Sequence, residues 1–240
     1  MTFLNEKILR SYLKIREAAL LIVFLNTNCN PMLKAIIFDF DGVISESMDI
    51  KGDAFVFVFG DYPKFAQDIR NLHKAHGSMP RFEKFRIVYQ EILHQPYNEK
   101  IGEELSNKFA GYVYERIVKC PFVQGAKEFL QKYHSEFSLF IASGTPEEEM
   151  RSVAKDKGID QYFVEVFGSP ASKGEMCKKI LGKYNFSPDE VIMIGDSIDD
   201  YQGAKEARIG FIGRITDVDP FKDMEIKAKI RDLTELEKFV

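Results

Sequence analysis

The segment KAIIFDFDGVISES, residues 34–47, runs through a short apolar stretch into Asp39, skips one residue to Asp41, and turns on Gly42. Two carboxylates at the end of a buried strand repel each other, and each is costly to bury unless positive charge compensates it. Two further apolar runs end in polar residues of defined type. FSLFIAS (137–143) leads from Ser143 into Gly144 and Thr145, and EVIMIGD (190–196) ends at Asp196, with Asp199 and Asp200 opening the segment that follows. Between them, GSPASKGEM (168–176) puts Lys173 at the start of a predicted helix. Brought together, these ends make one crevice holding several carboxylates, a hydroxyl, free backbone amides and a lysine. Such a site needs a cation, and ligands that are all oxygen select Mg²⁺.

The surrounding elements bear on whether the chain can bring them together. KAIIFD reads as a short, fully buried strand. After it, helices at 125–134, 146–158, 174–184 and 199–207 alternate with strands at 137–143 and 190–196, a short segment at 162–168 and a last strand candidate at 210–215, the 199–207 helix being closed by Gly210. That alternation indicates βαβ units in a parallel sheet, where ligands bind outside the carboxyl ends of the strands. From Met48 to Cys120 the alternation stops. Helical periodicity appears in 63–76, 81–93 and 102–118, and the aromatic FVFVF at 55–59 reads as packing within this insertion. The expected fold is α/β: a Rossmann-like parallel sheet with a helical cap inserted after the first strand. The core takes residues 32–47 and 121–240, the cap 48–120. Residues 1–31 form a helical N-terminal extension, amphipathic over Glu6–Leu25, and Met32 is an alternative start. The charged tail reads as a terminal strand and helix.

The chain has 240 residues, 45% hydrophobic and 29% charged, with a net charge of -4. That balance speaks against a nucleic-acid partner. The longest apolar run, AALLIVFL, is too short to span a bilayer, and NTNCNP after it lacks a signal-peptide cleavage site. Cys29, Cys120 and Cys177 fit no zinc or redox spacing, so free thiols in a reducing, cytoplasmic setting are expected.

DFDGV, ASGT, the isolated Lys173 and IGDSIDD resemble, in order, the four motifs of the haloacid dehalogenase superfamily, across about Leu33 to Arg214. The nearest likeness is to the phosphoglycolate phosphatase and β-phosphoglucomutase branch, whose first-type cap follows the first motif. The resemblance implies a Mg²⁺-dependent phosphomonoester hydrolase acting on a small phosphorylated metabolite such as a sugar phosphate or phosphoglycolate, as a monomer or homodimer. Asp39 would be the nucleophile that carries an aspartyl-phosphate. Asp41 would be the acid for the leaving oxygen and then the base for water. Asp39, the Asp41 backbone carbonyl and Asp196 would hold Mg²⁺, with Asp200 orienting Lys173 or a metal-bound water. Ser143, Gly144 and Thr145 would bind phosphoryl oxygens, and Lys173 would neutralise the transferring group. A phosphosugar mutase uses the same two aspartates, and a phosphate-sensing module without turnover is a third reading. Asp41 argues against a dehalogenase, since that branch lacks the second acid.

The cap chooses the leaving group in such proteins. Here HKAHGSMPRFEKF offers His76, Ser78, Arg81 and Lys84. Arg81 and Lys84 share a face of a predicted helix and are the candidates for leaving-group contact, against the plainer expectation that Arg81 is solvated. His73 and His76 are expected to be exposed or half-buried rather than a metal pair.

Overall fold

A computed structural model of the chain describes residues 32–76 and 79–240, so the expected helix of residues 6–25, Cys29 and Ser78 lie outside the described residues. Leu33–Val240 make one compact unit. Its centre is a six-stranded, all-parallel sheet. The strands are β1 (Ala35–Phe38), β2 (Ser138–Pro146), β3 (Glu165–Ser169), β4 (Val191–Gly195), β5 (Gly210–Arg214) and β6 (Ala228–Ile230), in the order β3-β2-β1-β4-β5-β6.

The register explains the continuous apolar strands. Ile36 lies opposite Leu139 and Ile192, and Phe38 opposite Ile141 and Ile194. All four β1 residues are fully buried, as expected where helices cover both faces of a parallel sheet. One face carries Ile36, Phe38, Leu139 and Ile141, and the other carries Ala35, Ile37, Phe140 and Met193. β1 sits between β2 and β4, so the chain leaves it toward opposite sides of the sheet. A crevice therefore opens beyond the carboxyl ends of β1, β2 and β4.

The insertion after β1 is helical: α1 (Met48–Val58), α2 (Ala66–Ala75), α3 (Arg81–Ile87) and α4 (Glu99–Lys119). The sequence pattern missed α1, and the predicted 81–93 helix is α3 followed by a π-turn over Val88–Ile92. FVFVF does pack the cap: Phe55 lies 4.8 Å from Phe109 and 5.6 Å from Phe85, centroid to centroid. The remaining helices are α5 (Ala126–Tyr133), α6 (Glu147–Asp156), α7 (Lys173–Tyr184) and α8 (Ile198–Ala207). The tail gives β6 and a 3₁₀ turn over Leu233–Lys238, whose Leu233 and Leu236 are buried. Among the described residues no helix is long and apolar enough to cross a membrane, and Cys120 and Cys177 are free thiols.

α8 does not end at Gly210, which begins β5. It ends on Arg208, in the left-handed conformation at φ 60°. Arg208 is exposed, and a side chain at that backbone position is strained where glycine is not. Arg208→Gly should raise the unfolding free energy by about 0.5–1 kcal/mol. Urea denaturation would show a higher midpoint at unchanged slope; a lower midpoint would mean that the arginine side chain outweighs the backbone relief.

Candidate active site

Asp39 is the first residue beyond β1, and its backbone amide donates to the Ile194 carbonyl at 2.9 Å, extending the pairing to β4. The turn that follows has no room for a side chain at Gly42. Its φ is +77°, and a Cβ there would come 2.1 Å from Asp196 Oδ2. Arg214, at the end of β5, braces this turn: Nη1 donates to the Gly42 carbonyl at 2.7 Å and Nη2 to Glu46 at 2.7 Å.

Lys173 opens α7, capped by Ser172 and Glu175 in a reciprocal capping box. Asp200 lies in the first turn of α8, where its Oδ2 accepts from the Ser197 amide and hydroxyl at 3.2 and 2.6 Å. The two helices pack closely because Gly203 of α8 has no side chain; a Cβ there would come 2.5 Å from Lys173 Cβ. The Lys173 ammonium thus reaches Asp200 Oδ1 at 2.6 Å, Asp39 Oδ1 at 2.7 Å and the Ala142 carbonyl at 2.8 Å. Burial alone would lower the lysine's pKa, but the carboxylates of Asp200 and Asp39 outweigh it and hold the pKa above its ordinary value.

One ammonium cannot neutralise all the acids. Asp39, Asp196 and Asp200 each offer an oxygen within 4.8 Å of the others'. Burial pushes the Asp39 carboxyl up to about 7, against the pull of Lys173 and with the help of Asp200 and Asp41. Burial, then Asp39 and Asp200, also raises Asp196 well above the carboxylate range. Carboxylates crowded this way favour a hard divalent cation among them, and the all-oxygen set fits Mg²⁺.

The Asp41 side chain stands apart from that trio. It accepts from Ser47 Oγ at 2.5 Å and is ion-paired with Lys51 of α1. Lys51 also donates to Thr145 Oγ1 at 2.8 Å, so a cap residue ties the second acid to the end of β2. Ser143 is buried and its Oγ accepts from the Thr145 amide at 3.1 Å. Neither hydroxyl caps α6, whose N-cap is Pro146. Gly144 and Thr145 line the same cavity as Asp39, Asp41 and Asp196, about 600 Å³ in volume.

All four motif segments therefore meet. Lys51, Arg214 and Glu46 were missed, because nothing local marks a residue that acts across the chain. The cap corrects two expectations. Arg81 is not solvated: it is 8% exposed and pairs with Glu149 of α6. His73 is buried, 3% exposed, with Lys84 donating to its Nδ1 at 3.2 Å. His76 is exposed at the end of α2, so the two histidines do not converge.

Lys173→Met would leave two buried carboxylates without their ammonium. Stability in EDTA should fall by about 3–5 kcal/mol, read from urea denaturation, and excess Mg²⁺ should restore part of it. A fall below about 1 kcal/mol would mean that water already compensates these acids.

Residues 33–208 match the family model described as haloacid dehalogenase-like hydrolase. A phosphorylated carbohydrates phosphatase of Thermotoga maritima is 26% identical over 187 residues, covering 74% of this chain and 82% of that protein. A phosphoglycolate phosphatase of Vibrio vulnificus is 30% identical over 204 residues, covering 75% of this chain and 83% of its own length. Among solved structures, the HAD-hydrolase YfnB of Bacillus subtilis, bound to magnesium, superposes with a TM-score of 0.67 at 20% identity, covering 86% of this chain and 98% of that one. The fold, the four converging strand-end and helix-start segments and the match over most of the chain agree: this chain is an enzyme of the haloacid dehalogenase-like hydrolase family.

Proposed function

We propose that the enzyme is a Mg²⁺-dependent phosphomonoester hydrolase that works through an aspartyl-phosphate on Asp39. The observation that carries this reading is the meeting of Asp39, Lys173, Asp196 and Asp200, the first three of which line the floor of a cavity whose roof belongs to the cap. In this reading Asp39, the Asp41 backbone carbonyl and Asp196 hold the metal, with Asp200 beside them. The bound Mg²⁺ would supply charge neutralisation for the acids and the phosphate.

The chain's own groups then divide the work. An Asp39 oxygen attacks phosphorus while the ester P–O bond breaks, and the leaving oxygen takes the Asp41 proton. Asp41, now a carboxylate, takes a proton from water as that water's oxygen attacks phosphorus, releasing inorganic phosphate and Asp39. Ser143, Gly144 and Thr145 bind phosphoryl oxygens. Lys173 balances the charge spread over the group in transfer. Lys51 is suited to hold the Asp41 carboxyl toward the leaving oxygen. The chemistry belongs to residues 32–47 and 121–240, and the choice of leaving group to residues 48–120. The relatives' names suggest phosphorylated carbohydrates or phosphoglycolate as substrates.

Release of inorganic phosphate from p-nitrophenyl phosphate and a panel of sugar phosphates is the deciding experiment, since a mutase would return a rearranged ester instead. Asp39→Asn should drop turnover below about one-thousandth of wild type while leaving the melting curve in place; a larger residual rate would exclude attack by Asp39. EDTA should abolish activity, and Mg²⁺ should restore it better than Ca²⁺, whose longer bonds and higher coordination number misplace the attacking carboxylate. Full turnover in EDTA would remove the metal from the mechanism.

A further inference from the structure

Arg214 ends β5 at the wall of the cavity and is 7% exposed. A guanidinium is costly to bury unless its donors are met. Nε donates to the Arg231 carbonyl at 3.0 Å and Nη1 to the Gly42 carbonyl at 2.7 Å, while the Glu46 carboxylate accepts from Nη1 at 3.2 Å and from Nη2 at 2.7 Å. Glu46 balances the charge, so the arginine adds little positive field beside the acids. Gly42 is where such a hold matters: at φ +77° and without a side chain, it is the most freely rotating point of the turn. The amides of Ile44 and Ser45 tie the rest of the turn to the Phe40 carbonyl at 2.9 and 3.0 Å. The Gly42 amide donates to the Ser45 carbonyl at 2.8 Å, and across a planar trans peptide that turns the Asp41 carbonyl away from Ser45. The Gly42 carbonyl is held from outside the turn, by Arg214. Glu46 in turn opens the linker into the cap. Its amide donates to the Pro121 carbonyl of the return linker at 3.1 Å, and its carbonyl accepts from Cys120 Sγ at 3.0 Å. One fork therefore joins the acid turn to the crossing between core and cap.

We propose that Arg214 is a positioning residue: through Gly42 it sets the Asp41 backbone carbonyl for the metal and the Asp41 carboxyl for the leaving oxygen. Ser47 and Lys51 tether that carboxyl at its tip, but a tip contact does not fix the main chain beneath it. Gly42 also packs against Asp196, where a Cβ would collide with the carboxylate, so a rotation at Gly42 is felt at two of the groups that would hold Mg²⁺. Without the Arg214 donor, the peptide after Gly42 is free to rotate and carries the Asp41 carbonyl with it. Misplacement of a reacting or ligating group by about 1 Å can cost on the order of a hundredfold in rate.

The inference rests on the hydrolase reading, so one arm of its test needs no turnover. Calorimetric titration of Mg²⁺ alone into the full chain should give Arg214→Met a dissociation constant roughly tenfold or more above wild type. The second arm, at saturating Mg²⁺, compares kcat for glucose 6-phosphate, whose leaving alkoxide must be protonated, with kcat for p-nitrophenyl phosphate, whose phenolate leaves without a proton. Arg214→Met should cost the first roughly tenfold more than the second, with KM for both esters within about threefold of wild type. Leu130→Ala, which opens a cavity in buried α5 away from the site, serves as the destabilised reference. It should lower the melting temperature while leaving the Mg²⁺ constant and the ratio of the two kcat values at wild type. The same shifts in Leu130→Ala as in Arg214→Met would reduce Arg214 to a structural role. Arg214→Lys keeps the charge but loses the fork, so it should move both readings about threefold or more in the same direction, and it stands in should Arg214→Met fail to fold. Mg²⁺ binding by a wild type that releases no phosphate would sink the hydrolase reading and leave Arg214 to be judged by the ratio of Mg²⁺ constants. A Mg²⁺ constant for Arg214→Met within about threefold of wild type, or equal losses on the two esters, would overturn the positioning role.

Discussion

The site depends on one buried ammonium held between two carboxylates. Lys173 meets Asp39, just beyond β1, and Asp200 from α8 within 2.7 Å, and it is itself 7% exposed. Without it, two acids at the end of a buried strand would have to protonate or draw in water. With it, the start of α7, the end of β1 and the start of α8 are fixed relative to one another, because an ion pair in a dry site tolerates little displacement. The close α7–α8 approach at Gly203 and the Ser197–Asp200 capping box serve the same geometry. Burial and mutual repulsion oppose ionisation of Asp196 and Asp39, and a divalent cation would relieve both.

The cap answers with the opposite sign. Lys51 reaches down to Asp41 and Thr145, Arg81 crosses to Glu149, and Lys84 stays within the roof. Two of these three contacts join cap to core, so the roof's position over the acids is set by electrostatics as well as by the shared apolar cluster that runs from Phe38 through Phe55 to Phe109.

Much of this was legible in the sequence. Continuous apolar strands could be read because a parallel sheet buries both faces, and the motif acids because polar residues at the ends of such strands need a reason. α1 was not legible: MDIKGDAFVFV alternates near its end like a strand, and its burial on several sides leaves little amphipathic contrast. Gly210 drew the end of α8 to itself, although the chain had already turned at Arg208. Arg81 read as solvated and His73 as exposed or half-buried because polar residues on a helix usually are, and their burial depends on packing against α1, α4 and α6. Lys51 and Arg214 contact residues 94 and 172 positions away in the chain, and no local pattern encodes such a partner.

The two kinds of surprise differ in meaning. α1 and Arg208 are places where local propensity was misread, and correcting them changes only the fold's description. Arg81 and Lys84 are places where the sequence breaks a packing rule, setting cations on a buried helix stripe that apolar residues usually fill. Local rules are broken chiefly at functional or strained sites. Lys173 breaks the same rule and is compensated in full view, by Asp39 and Asp200. The difference between the two lysines is therefore informative. One is a fixed part of the floor, held between two carboxylates, while the other lies in the roof against the Phe55 ring and the neutral imidazole of His73, with the Asp199 and Asp41 carboxylates acting on it from a greater distance.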